Sequence, residues 1–131
     1  MDYKKGILSG IVATIVMLVL GFVFSMIYPA YNEWYMTAFA SMNMTMMFVS
    51  TILFGLFMGI IYSIVGKSIP GKGYRKGFNY GLMVWLLAGI MWPIMAIGWA
   101  PMSVTIFDLI TSLIMYGLTG IALVTVYDKL K

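Results

Sequence analysis

The residue in this chain best placed to do chemistry is Asp108, the one ionisable group that falls inside a long apolar stretch. Thr111 and Ser112 follow it at spacings of three and four, which puts all three side chains on one face of a helix. A carboxylate with two hydroxyls one turn away can hold a proton or a cation. An acid within a membrane span is a functional candidate by default, because a charge at the helix centre costs about 2.5–3.5 kcal/mol on insertion scales. The same position also fits a structural role: it lies about one turn from the start of its span, where water and the positive end of the helix dipole stabilise a carboxylate. A second candidate is the run Met42, Met44, Met46 and Met47. Thioethers are soft ligands that suit Cu(I), although methionine is also an ordinary gap-filler in apolar packing and this chain has 14 of them. The chain has no Cys and no His, which excludes disulfides, thiolate sites and the usual proton shuttle. Its serines have no His base, and the carboxylates Asp2, Glu33, Asp108 and Asp128 are scattered. No catalytic constellation can be assembled, so the expectation is a non-enzyme without a cofactor, Cu(I) being the alternative.

The composition dictates what must position these residues. Of 131 residues, 63% are hydrophobic and 9% charged, and the mean hydropathy is +1.00. A soluble domain is about 25% charged, so there is too little polar surface here to face water. Four charge-free stretches, 6–32, 34–66, 77–107 and 109–127, each reach the length of about 20 residues needed to cross a bilayer as a helix. The apolar runs are continuous and lack strand-type alternation, which indicates helices rather than a barrel. The expected fold is an all-α integral membrane protein: one domain, residues 1–131, with spans near 7–28, 45–66, 78–97 and 104–126 packed as a four-helix bundle.

Charge placement predicts orientation. Lys4 and Lys5 precede the first span, Lys67, Lys72, Arg75 and Lys76 lie in a basic loop (67–77) between the second and third, and Lys129 and Lys131 follow the fourth. With an even number of spans, every basic residue falls on one side, and the positive-inside rule makes that side cytoplasmic, with both termini there in a plasma membrane. The net charge of +4 then encodes orientation and contact with anionic headgroups, and nucleic acid is not an expected partner. The loop GKSIPGKGYRKGFNYG lacks phosphate-loop spacing. On the other side, 29–43 carries Tyr31, Trp34, Tyr35 and Phe39 with Glu33 as its only charge, an interfacial segment at headgroup level; Trp92 and Trp99 extend the same aromatic belt.

Lipid removes the hydrophobic drive for helix association, leaving close approach at small residues to take its place. The first span carries Gly6, Gly10, Thr14 and Gly21 on one face; the second, Thr51, Gly55, Gly59 and Ser63; the third, Gly77, Gly81 and Gly89 with Pro93 as a kink; the fourth, Asp108, Thr111, Ser112, Met115, Thr119 and Ala122. Lys5-Gly6 with Gly10 parallels Lys76-Gly77 with Gly81. Phe54-Gly55-Leu56 with Gly59-Ile60 parallels Tyr116-Gly117-Leu118 with Gly120-Ile121, offset by one residue. Two related hairpins, set about an axis along the membrane normal, would give this pattern.

The stretches GIVATIVM, FGLFMGIIYSIVG and GFNYGLMVWLLAGIMWPIM resemble small bacterial and archaeal four-span membrane proteins of unknown function. Such proteins open with a Gly-x-x-Ala-Thr-x-x-Met helix, here Gly10, Ala13, Thr14 and Met17; the resemblance implies a fold and no activity. The methionine run is also similar to the extracellular methionine motifs of copper transporters. With little mass outside the spans and a small-residue seam on each, the expected role is a structural or accessory subunit, bound in the bilayer to other membrane subunits or to copies of itself. The alternative is a small homo-oligomeric transporter or channel for protons, cations or copper.

Overall fold

The computed structural model describes residues 2–27, 33, 44–90, 94–95, 97 and 102–130. These form four helices and no strand: α1 Tyr3–Ile27, α2 Met44–Val65, α3 Tyr74–Val84 and α4 Met102–Lys129. A 3-10 turn, Gly66–Ser68, follows α2, and a π turn, Trp85–Gly89, continues α3. Three helical stretches, Tyr3–Phe24, Phe48–Ser68 and Met102–Lys129, are long and apolar enough to cross a membrane.

The helices begin earlier than the apolar runs. α1 starts at Tyr3 because Asp2 caps it: its Oδ1 accepts the Lys5 N–H at 3.2 Å and its carbonyl accepts the Gly6 N–H at 3.0 Å. A carboxylate there also opposes the helix dipole. Charge ends an apolar run without ending a helix, since lysine is a good helix former. For the same reason Arg75 and Lys76, expected in the connecting loop, form the first turn of α3, and Lys129 stands in the last turn of α4. The loop itself is tied down: Ile69 is buried, Asn79 Nδ2 donates to the Pro70 carbonyl at 2.9 Å, and Gly71 and Gly73 adopt positive φ of 99° and 59°, which side chains disfavour.

Polarity is distributed inside out. Ser9, Thr14, Ser63, Thr105, Thr111, Ser112 and Thr119 are buried, while Ile11, Ile15, Phe22, Phe57, Ile61, Ile106, Ile110 and Ile114 are exposed. Large apolar side chains over the outer faces of the long helices suit a lipid solvent and would be untenable in water. Several interior hydroxyls bond within their own helices, as when Ser9 Oγ donates to the Lys5 carbonyl at 2.8 Å and Thr14 Oγ1 to the Gly10 carbonyl at 3.0 Å. Among the described residues, Thr119 Oγ1 is the buried side-chain polar atom with no hydrogen-bond partner. Leaving a hydroxyl buried and unpaired costs about 1–3 kcal/mol, so Thr119→Val, which keeps the shape, is expected to raise the unfolding midpoint in denaturant titration. A lower midpoint would mean that the hydroxyl is bound after all.

α1 packs along α2 and α4, and α3 packs along α4. The two hairpin contacts are built alike. A Cβ on Gly59 would lie 2.7 Å from Gly10 N and 2.8 Å from Gly10 Cα; a Cβ on Gly120 would lie 2.7 Å from Gly81 N and 2.8 Å from Gly81 Cα. A Cβ on Gly10 would meet Leu56 Cα at 2.9 Å, and one on Gly81 would meet Gly117 Cα at 2.9 Å. These backbones touch, so glycine is required on both sides. The contacts pair Leu56 with Gly117 and Gly59 with Gly120 in one unbroken register, so Gly55 matches Tyr116. The alignment that places Gly55 on Gly117 is therefore one residue out, because it follows residue type where packing follows position. In the packing register, Val49-Ser50-Thr51-Ile52 stands opposite Ile110-Thr111-Ser112-Leu113, and Tyr3-Lys4-Lys5-Gly6 opposite Tyr74-Arg75-Lys76-Gly77.

At the basic end, Tyr62 meets Tyr80 and Tyr127 with ring centroids 5.1 and 5.0 Å apart. Lys5 Nζ stands 5.7 Å from the Tyr127 ring and Lys76 Nζ 5.7 Å from the Tyr62 ring. Each hairpin's leading lysine thus covers the other hairpin's closing tyrosine. Tyr80 Oη donates to the Met58 carbonyl at 2.5 Å, bridging α3 to α2. With Ile69, Leu123 and Val124 these residues belong to the buried apolar core among the described residues.

Candidate functional site

The end of the bundle away from the lysines is hollow. A cavity of about 590 Å³ lies between α1, α2 and α4. α1 contributes Met17, Leu18, Gly21, Phe22 and Phe24; α2 contributes Phe48, Ser50, Thr51 and Phe54; α4 contributes Asp108, Thr111, Ser112, Met115 and Tyr116. The helical spacing explains the α4 contribution directly: 108, 111, 112 and 115 fall on one stripe, and the tertiary fold turns that stripe inward. Thr111 and Ser112 are buried while Asp108 is partly exposed, as a carboxylate near a helix start should be.

The hydroxyls are oriented. Thr111 Oγ1 donates to the Phe107 carbonyl at 2.8 Å and Ser112 Oγ to the Leu109 carbonyl at 3.1 Å. Ser112 Oγ in turn accepts the indole N–H of Trp85 at 2.9 Å. The π turn opens at this tryptophan and is closed five residues on, where the Ile90 N–H donates to the Trp85 carbonyl at 2.9 Å. Such turns rotate side chains off the α-helical register and recur at functional sites. Phe54 and Tyr116 pack tilted, centroids 5.7 Å apart. Among the described residues the wall is largely aromatic and thioether, carries a single acid and includes no basic residue.

The residues anticipated from sequence divide between this site and the packing. Asp108, Thr111 and Ser112 come together in the cavity, and Thr51 and Gly21, expected in seams, join them there; a Cβ on Gly21 would meet nothing within 4 Å. Gly6, Gly10, Gly55, Gly59, Gly77, Gly81 and Ser63 lie in helix contacts, Thr14 against Gly55, and Gly89 against the Tyr116 ring. Met42, Pro93, Trp92, Trp99 and Lys131, with 29–43 apart from Glu33 and the side chains of Met44 and Met47, lie outside the described residues. Met46 is exposed and, among the described residues, lines a separate hollow of about 350 Å³ with Val49, Ser50, Leu53, Phe54 and Phe57. Ser50 was not anticipated; its signal is the match of Ser50-Thr51 to Thr111-Ser112 in the packing register.

Fold and site together define a small helical membrane protein with an aromatic cavity and one acid at one end. No protein-family model matches the chain, and no characterised protein or solved structure shows significant similarity to it.

Proposed function

We propose that this chain is a small membrane transporter for a cationic solute, whose binding step takes place in the cavity that holds Asp108. The observation that carries this reading is convergence: the acid and two adjacent hydroxyl pairs, from separate helices, line one hollow of ligand size. The largest apolar pocket with a few convergent polar groups is the default site of a protein. An accessory-subunit role drew on the little mass outside the spans, the lack of a catalytic constellation and the small-residue seams. Those glycines face one another inside the chain and so are used up in internal packing. Reconstitution tests the choice. Proteoliposomes carrying the wild type and a panel of cationic solutes are expected to show flux that Asp108→Asn lowers at least tenfold. Flux no higher than in protein-free liposomes for every solute would remove the transporter reading, and equal flux through both proteins would move the binding step away from Asp108. A second membrane protein co-extracted in fixed ratio from the source membrane would favour the subunit.

The proposed topology has four crossings with both termini cytoplasmic. α3 and its π turn run from Tyr74 to Gly89, and the apolar sequence continuing to 97 would complete the third crossing. In support, the cation–π contacts bring Lys5 and Lys76 to the same end of the bundle, which the positive-inside rule assigns to the cytoplasm. Because the chain lacks cysteine, single substitutions report sidedness without background. Glu33→Cys should label with a membrane-impermeant maleimide on intact cells and Ser68→Cys only after lysis; both positions are exposed. The reverse pattern would invert the topology.

A further inference from the structure

We infer that the ligand of the Asp108 cavity is an organic monocation bearing aromatic or alkyl groups, an assignment that rests on the transporter reading and specifies its solute. Size speaks first. At about 30 Å³ per water, the 590 Å³ of the cavity equals roughly twenty water molecules. A bare inorganic cation has no fit in such a space, since it needs several oxygens, for calcium about six to eight at about 2.3–2.6 Å. A hydrated ion would gain little from walls that are mostly carbon.

The oxygens present are also partly committed. Ser112 Oγ both donates to the Leu109 carbonyl and accepts from Trp85, and Thr111 donates back into its own helix. They orient a ligand better than they replace a hydration shell. The aromatic wall has the opposite character. Phe22, Phe48, Phe54 and Tyr116 come from three different helices. Aromatic faces attract cations, by about 2 kcal/mol or more where water is excluded, and this is how quaternary ammonium groups are recognised. One carboxylate against one positive charge leaves the pair neutral. A dication would leave an unbalanced charge in a low-dielectric site, which is costly.

The test uses tetraphenylphosphonium as probe and equilibrium dialysis of the full-length protein in nanodiscs. One saturable site per chain is expected, weakened at least tenfold by Asp108→Asn and severalfold by Phe22→Leu, and not displaced by excess sodium or potassium. Phe22 is largely exposed, 69%, so its truncation leaves the bundle intact even if another variant misfolds. Asp108-dependent binding of sodium, potassium or Cu(I) without phosphonium binding would overturn the ligand class and leave the transporter reading standing. Saturable phosphonium binding that is equal in wild type and Asp108→Asn would overturn the assignment, and absence of Asp108-dependent binding of any of these cations would overturn both.

Discussion

Gly59→Leu is expected to destabilise the bundle by about 3 kcal/mol or more, the upper part of the range for overpacking. Most large substitutions in a core are relieved by neighbouring rotamers. Here even the first added carbon meets main chain: the Gly6 carbonyl oxygen, Gly10 N at 2.7 Å and Gly10 Cα at 2.8 Å. Backbone can yield only if α1 and α2 move apart, and that would break the whole seam from Gly6 to Thr14. Lipid makes the loss harder to recover, because close packing is what holds these helices together and hydrophobic burial offers no substitute. Gly120→Leu is expected to match it, since its Cβ meets Gly81 N and Cα at the same 2.7 and 2.8 Å. Unfolding in mixed micelles followed by circular dichroism measures both. Near-wild-type midpoints would show that the hairpins are not held by these contacts.

Gly21→Leu, on the same helix as Gly10, should do the reverse. A Cβ at Gly21 has nothing within 4 Å, and the position lines the cavity. Removing a glycine from a helix interior stabilises it by about 0.5–1 kcal/mol, so the unfolding midpoint should hold or rise. The added side chain occupies ligand space beside Phe22, and binding of a cationic probe should fall at least tenfold. A destabilised Gly21→Leu would place this residue in a helix contact, and unchanged binding would place the solute elsewhere. The glycines of α1 thus separate into packing and site positions, although they lie on the same face of the helix.

That separation marks how far sequence could be read. Residues 108, 111 and 112 could be grouped in advance because a helix sets their angular relation locally. Ser50 could not be joined to them, because its place in the same cavity as Asp108 depends on how α1 packs with both α2 and α4, and the two residues are some sixty apart in the chain. The repeat was visible in Lys5-Gly6 and Lys76-Gly77, and Gly59-Ile60 was matched to Gly120-Ile121 in the packing register, yet Phe54-Gly55-Leu56 was matched one residue out. Glycine identity suggested Gly55 with Gly117, whereas the contact at Leu56 Cα and Gly117 Cα sets the true correspondence. Arg75 and Lys76 were expected in a loop because hydropathy marks where lipid solvation ends, which is a different boundary from the end of a helix.

By itself, then, the sequence determined that the chain is helical and suited to a membrane, where its small-residue faces lie, and which acid has no compositional explanation. Composition and i, i+3, i+4 spacing are local properties, and helix geometry converts them to faces directly. The tertiary structure alone decided which faces meet. It spent the glycine seams inside the two hairpins and left the far end of α1, α2 and α4 apart. The reason is steric: paired glycines let backbones touch near Gly10 and Gly81, whereas at the other end Phe22, Phe48, Phe54 and Met115 line a cavity around Asp108.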